Sequence, residues 1–90
     1  MNKNDLVGQV AQDTGLSKVD VARAVDSVFD NIAGSLRNKG EVRLVGFGTF
    51  SVSHRKATTG RNPRTGETIQ IGASNQPKFK AGKALKDTVN

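Results

Sequence analysis

The 90-residue chain has no cysteine, no tryptophan and no tyrosine. Without cysteine there is no disulfide to staple a small fold and no thiolate to hold zinc. Four phenylalanines are its whole aromatic complement, and a chain this short buries a small fraction of its surface. An unstapled domain of this size needs either a well-packed core or a partner subunit, and a homo-oligomer is expected. The one histidine, His54, stands between Ser53 and Arg55 with no carboxylate near it in sequence. Catalysis and metal binding need several converging groups, so no catalytic residue, metal ligand, cofactor or small-molecule substrate is expected. No apolar run approaches the roughly 18 residues of a membrane span. The opening Met1-Asn2-Lys3-Asn4-Asp5 is unlike a secretion signal. A soluble, cytoplasmic protein is expected.

What the chain does have is positive charge, +6 net, with a pI of about 10.2. Such a balance points to a polyanion, either nucleic acid or an anionic membrane. The excess is local. Residues 1–40 hold five basic and five acidic residues, whereas residues 51–83 hold seven basic residues against Glu67 alone. Glu41 with Arg43 and Lys86 with Asp87 cancel in the sum. The first half reads as scaffold and the second as a binding element.

The scaffold half is helical by pattern. Asn2 is placed to cap a first helix with Asp5 near its positive end, and Leu6, Val7, Val10 and Ala11 form its apolar stripe. Gly15 ends it. Ser17 and Asp20 form a capping-box-like pair, with Leu16 and Val21 at the positions of a hydrophobic staple. Val21, Val25, Val28, Phe29, Ile32 and Leu36 keep helical period over an expected helix of about 18–38. At Glu41 the period changes to two. Val42 and Leu44 alternate with charge, Gly46-Phe47-Gly48 reads as a tight turn, and Phe50 and Val52 resume the alternation, which makes a hairpin. The second strand is expected to continue through His54-Arg55-Lys56 towards a tip at Gly60–Gly66. Thr68–Ile71 starts the return, which resumes near Lys78-Phe79-Lys80. Ala81, Ala84, Leu85, Thr88 and Val89 suit a short closing helix.

The arm, about 53–76, holds only Ile69 and Ile71 as large apolar residues. It cannot build its own core, and a loop this long is either functional or disordered. Disorder when free and function when bound are both expected. The Gly46-x-Gly48 pair joins two strands, so it is not a dinucleotide-binding turn, which requires strand, glycine turn and helix. Thr14-Gly15-Leu16 between two helices resembles a helix-turn-helix, but a second helix opening Lys18-Val19-Asp20-Val21 suits a core or dimer helix better than a major-groove reader. A membrane-binding arm is disfavoured because no amphipathic helix combines Lys or Arg with Trp or Phe. A two-stranded ribbon, by contrast, can line a groove with one face. Arg55 along it, with Arg61 and Arg64 flanking the tip, suits a narrow minor groove. Pro63 is rigid, apolar and without an N–H, as an intercalating wedge must be; the alternative is a solvated proline turn.

Three blocks carry a family resemblance over essentially the whole chain. They are Gly60-Arg61-Asn62-Pro63-x-Thr65-Gly66, Val45-Gly46-Phe47-Gly48-x-Phe50 and Phe79-Lys80-x-Gly82-Lys83-x-Leu85. Together they resemble the bacterial histone-like HU and integration host factor proteins. The resemblance implies an α+β fold built as an intertwined dimer. A helical base (1–40) supports a three-stranded antiparallel saddle (41–80) with an extended β-ribbon arm, and a short C-terminal helix (81–90) closes a single domain. It implies that Pro63 intercalates, with Arg61 and Asn62 at base edges and sugars. Arg55, Lys56, Arg64 and Asn75 follow along the arm, Lys80 and Lys83 touch phosphates, and Lys3 extends the contact. Phe29, Ile32, Leu36, Leu44, Phe47, Phe50 and Phe79 are expected to form the dimer core. The implied partners are a second copy and double-stranded DNA, preferably bent, nicked or distorted, in the nucleoid; charge alone leaves RNA open. A chain ending at Asn90 resembles HU more than integration host factor, whose subunits run longer. The expected function is non-sequence-specific DNA bending and compaction. The alternative is a sequence-selective heterodimer subunit of the integration host factor kind. Thr58 and Thr59 stand where relatives often carry another basic residue, which thins the arm's charge.

Overall fold

A computed structural model describes all of residues 1–90 as three helices and five strands. The chain divides into two compact units, Met1–Gly34 and Ser35–Asn90.

The first unit is built on well-capped helices. Helix α1 (Lys3–Thr14) opens with a reciprocal capping box. The Asn2 side chain accepts from the Asp5 N–H at 2.8 Å, and the Asn2 N–H donates to the Asp5 carboxylate at 3.1 Å. Two N–H groups that a helix start leaves without partners are thereby satisfied. Gly15 ends the helix in the left-handed region, with φ 75°. Helix α2 (Lys18–Arg37) starts where the Ser17 hydroxyl accepts from the Asp20 N–H at 3.1 Å. The expected staple partner Leu16 is exposed; Val21 instead packs with Val7 and Ala11 of α1, and these three are the only buried apolar side chains in the chain. The end of α2 is a Schellman motif. The Lys39 N–H bonds to the Leu36 carbonyl and the Gly40 N–H to the Ser35 carbonyl. Its left-handed residue is Lys39, with φ 59°. Gly40 serves close approach, since a Cβ there would stand 2.9 Å from the Ser35 carbonyl oxygen.

The second unit holds strands β1 (Val42–Leu44), β2 (Gly48–Arg55), β3 (Thr58–Arg61), β4 (Thr68–Ile71) and β5 (Ser74–Ala81), then helix α3 (Lys83–Val89). Strands β1, β2 and β5 form an antiparallel sheet in the order β1-β2-β5, and β3 pairs with β4 separately. The first hairpin turn lies one step earlier than expected. The Phe47 N–H bonds back to the Leu44 carbonyl at 2.9 Å, and Gly46 takes the positive φ of 83°. Gly48 already belongs to β2 and is buried. A Cβ on Gly48 would meet the Phe79 ring at 2.5 Å and the Lys80 carbonyl oxygen at 2.7 Å.

The arm also differs from expectation. β2 stops at Arg55 before Lys56, and the return strand β5 begins at Ser74, well before Lys78. Ser53, His54 and Arg55 pair with Gln76, Asn75 and Ser74, so the sheet claims both ends of the expected 53–76 arm. The remaining ribbon, β3–β4, is a paired hairpin. Its backbone groups bond across the ladder, and Gly60 leaves room for Ile71, whose Cδ1 would lie 3.1 Å from a Cβ there.

Alternation sorts the sheet into two faces. Val42, Phe50 and Phe79 lie side by side on one of them, with Leu44, Val52 and Pro77 on the same parity. The Phe50 and Phe79 rings are 4.7 Å apart and those of Phe47 and Phe79 are 5.7 Å apart, both tilted, within the favourable range for aromatic pairs. Nothing in the chain covers this cluster fully: Phe47 remains 48% and Phe79 44% exposed. Of the other residues expected in a dimer core, Phe29 and Leu44 are exposed, while Ile32, Leu36 and Phe50 are half-buried.

Candidate nucleic-acid interface

The opposite parity of the same strands carries the charge. The register places Arg43 beside Thr49 and Thr49 beside Lys80. It continues with Ser51 beside Lys78, Ser53 beside Gln76, and Arg55 beside Ser74. Two residues interrupt each strand, Lys56-Ala57 on one side and Gly72-Ala73 on the other. Because the interruptions are equal, β3–β4 resumes in phase. Arg61 and Thr68 therefore keep the parity of Arg55 and Lys80, while Ile69 and Ile71 keep that of Phe50 and Phe79. In the β1-β2-β5 sheet one parity thus carries Arg43, Arg55, Lys78 and Lys80 with small hydroxyl residues between, and the other is mostly apolar; the separate β3–β4 sheet repeats the same residue parity.

Most of these cations are unneutralised. Ion pairs form only between Lys3 and Asp26 and between Arg43 and Glu41, so Arg55, Arg61, Lys78, Lys80 and Lys83 have no carboxylate within pairing distance. Five like charges without acidic partners raise the local potential and attract a polyanion. No group of three or more His, Cys, Asp or Glu side chains gathers to hold a metal ion, and no helix is long and apolar enough to cross a membrane.

At the tip, three hydrogen bonds converge on Asn62. Its N–H donates to the Glu67 carbonyl, its carbonyl accepts from the Gly66 N–H, and its side-chain oxygen accepts from the Arg64 N–H, each at 2.8 Å. The last is an Asx turn, and it spans Pro63. Gly66 supplies the positive φ of 73° that closes the loop. Pro63 itself is exposed. Having no N–H, it leaves no donor unsatisfied at the apex.

Three expected site residues lie elsewhere. Asn75 is on the parity of Phe79, where its side-chain oxygen lies 3.0 Å from His54 Nδ1. Lys56 sits in the break between β2 and β3. Lys3 belongs to the first unit, and its ammonium is 2.8 Å from the Asp26 carboxylate. That hydrogen bond, and then the Asp26 charge, hold its pKa above the ordinary 10.5. Conversely, Arg43 and Lys78 share the basic face without having been singled out. The signal for Lys78 was in the alternation, since it stands two positions from Lys80 on the same strand, whereas Arg43 joins them only through the register of Thr49 with Lys80.

These features define a class of small, basic α+β proteins whose charge is concentrated on one face of a sheet and its ribbon extension. Comparison with known proteins identifies it further. The family model for bacterial DNA-binding proteins matches residues 1–90. DNA-binding protein HRm of Rhizobium meliloti is 61% identical over 90 residues, covering all of both chains. DNA-binding protein HU-1 of Halalkalibacterium halodurans is 56% identical over the same length. Among solved structures, Anabaena HU from an HU–DNA cocrystal superposes with a TM-score of 0.91 at 37% identity, covering 99% of this chain and 97% of that one. Thermotoga maritima HU superposes with a TM-score of 0.71 at 32% identity over the whole of both chains. The chain belongs to the HU family of bacterial DNA-binding proteins.

Proposed function

We propose that the protein is a homodimeric, DNA-bending architectural protein that binds with little sequence preference and compacts nucleoid DNA. The observation that carries this reading is the basic parity of the three-stranded sheet, where Arg55, Lys78 and Lys80 have no carboxylate partner and Arg43 has only a weak one in Glu41, with Arg61 on the ribbon beyond. Hydroxyl side chains and cations suit phosphates and sugars, which position a protein without reading sequence. Minor-groove wedging is the known mode of architectural proteins of the HU and integration host factor type, and the geometry here supports that mode. Pro63 is exposed at the apex of a ribbon whose turn is already bonded through Asn62. Arg61 and Arg64 flank it, where a narrowed groove concentrates negative potential.

The dimer rests on what one chain leaves open. Only three apolar side chains are buried, and Phe47 and Phe79 stay about half exposed. A second copy laid on the Phe47, Phe50 and Phe79 face supplies the missing core. Salt-dependent binding to plain and nicked duplexes tests the reading. With about 6–8 phosphates neutralised per dimer, log K falls against log salt with a slope of roughly −5 to −7. Binding to the nicked duplex is tighter, because a hinge makes kinking cheaper. A slope near zero, or equal affinity for both duplexes, contradicts the reading; a strong preference for particular sites over random duplex points instead to a sequence-selective subunit.

A further inference from the structure

We infer that Arg43 is a further phosphate-contacting residue of this chain, and that Glu41 beside it holds that contact back in the free protein. The inference rests on the DNA-binding reading above and assigns a role to a pair whose charges vanish in the net sum. They do not vanish in space. Arg43 lies on β1, the edge of the sheet, and the register aligns Arg43, Thr49 and Lys80 in one row across all three strands. The row opens onto a concave surface of about 680 Å³ lined by Arg43, Lys80, Lys83 and Lys86, together with the acids Glu41 and Asp87. Arg43 therefore carries the basic face from β5 to the far edge of the sheet, beyond the lysines the family resemblance pointed to.

The Arg43–Glu41 pair is a weak one. A single guanidinium nitrogen approaches one carboxylate oxygen at 3.4 Å, and the side chains are 75% and 53% exposed. Water screens such pairs strongly. A phosphate offers the guanidinium a bidentate, charge-assisted partner, and its binding also releases counterions. The phosphate displaces Glu41, which then stands as a like charge near the DNA backbone. This body contact offsets an arm thinned at Thr58 and Thr59.

The test compares the full-length wild type with R43Q, R43K and E41Q by gel-shift titration on a random duplex across 50–200 mM salt. One phosphate contact contributes about 0.9 to the slope of log K against log salt, so two per dimer contribute about 1.8. Across that fourfold salt range, two contacts account for about a 12-fold change in affinity. R43Q is expected to flatten the slope by about 1 to 2, R43K to keep it, and E41Q to bind more tightly than wild type at 50 mM. Both side chains are exposed, so matching thermal midpoints confirm that the fold is unchanged. A wild-type slope in R43Q overturns the role of Arg43, and unchanged binding by E41Q overturns that of Glu41, with the DNA-binding reading intact in both cases. A flat wild-type slope overturns that reading itself.

Discussion

Replacing Pro63 by alanine separates bending from binding, because the tip does not depend on the proline ring for its hydrogen bonds. The three bonds that close the loop join Asn62 to Arg64, Gly66 and Glu67, and none uses an atom of Pro63. The Glu67 N–H also has the Thr65 hydroxyl as a neighbour at 3.3 Å. Alanine is therefore accommodated by the same turn, and Arg61 and Arg64 stay beside it. What disappears is the rigid apolar ring proposed as the wedge. Unstacking a base step costs a few kcal/mol and accompanies kinks of about 20–90° in minor-groove architectural complexes, HU's among them. Without a wedge, the duplex has to bend smoothly, at about 1–6 kcal/mol for a bend of 40–90° over a 20–30 base-pair site. On the proposed mode the remaining contacts are electrostatic and do not change. The expected outcome is a bend smaller by tens of degrees, read by energy transfer between dyes at the ends of a short duplex. Affinity for plain duplex falls by less than about tenfold, which corresponds to about 1.4 kcal/mol. The preference for nicked duplex shrinks with the bend. Equal energy transfer for the mutant and wild-type complexes refutes the wedge and leaves Pro63 as a turn residue.

Other predictions address the scaffold. Gly48→Ala forces a methyl group against the Phe79 ring and the Lys80 carbonyl; overpacking of about 1–3 kcal/mol lowers the thermal midpoint by roughly 4–8 °C per kcal/mol, and a midpoint within about 2 °C of wild type is the result that contradicts it. Gly72→Ala, where nothing lies within 4 Å, is the matched control and leaves the midpoint unchanged. Phe79→Ala removes the ring that meets both Phe47 and Phe50; truncating such a ring in a completed core costs about 3–5 kcal/mol, so sedimentation shows the mutant dissociating at concentrations where wild type stays dimeric, and identical sedimentation contradicts the proposed interface. The Lys3–Asp26 pair raises the Lys3 pKa above 10.5. Its stabilisation is therefore fully present below that value and is lost as pH rises through the raised one. The midpoint difference between wild type and Lys3→Met should be constant from pH 7 to 9 and shrink as pH rises beyond 10.5, and a difference that grows in alkali contradicts the sign. That difference is small, because both side chains are more than half exposed.

Much of this organisation is local and therefore legible in order along the chain. The Asn2–Asp5 box, the Gly15 stop and the Ser17 cap are satisfied within a few residues of themselves, so the residue types dictate them. The concentration of charge in residues 51–83 is likewise a property of composition. Boundaries that depend on pairing were less legible. Whether Ser53–Arg55 belongs to the arm or the sheet depends on Ser74–Gln76, some twenty residues away. The alternation of apolar and polar residues does not say which partner each strand takes. Asn75 shows the same limit. Its residue type does not reveal that the register places it on the parity of Phe79, beside His54.

By itself, then, the amino-acid order determined that this is a basic α+β chain with a scaffold half and a binding half, because caps, periodicity and charge act over short distances. The tertiary structure alone decided which cations stand together. Arg43, Lys80 and Arg55 come from three strands and share one parity of the sheet because antiparallel register aligns residues far apart in sequence. Tertiary structure likewise showed how little of its apolar surface one chain can cover, since burial depends on what packs against each residue.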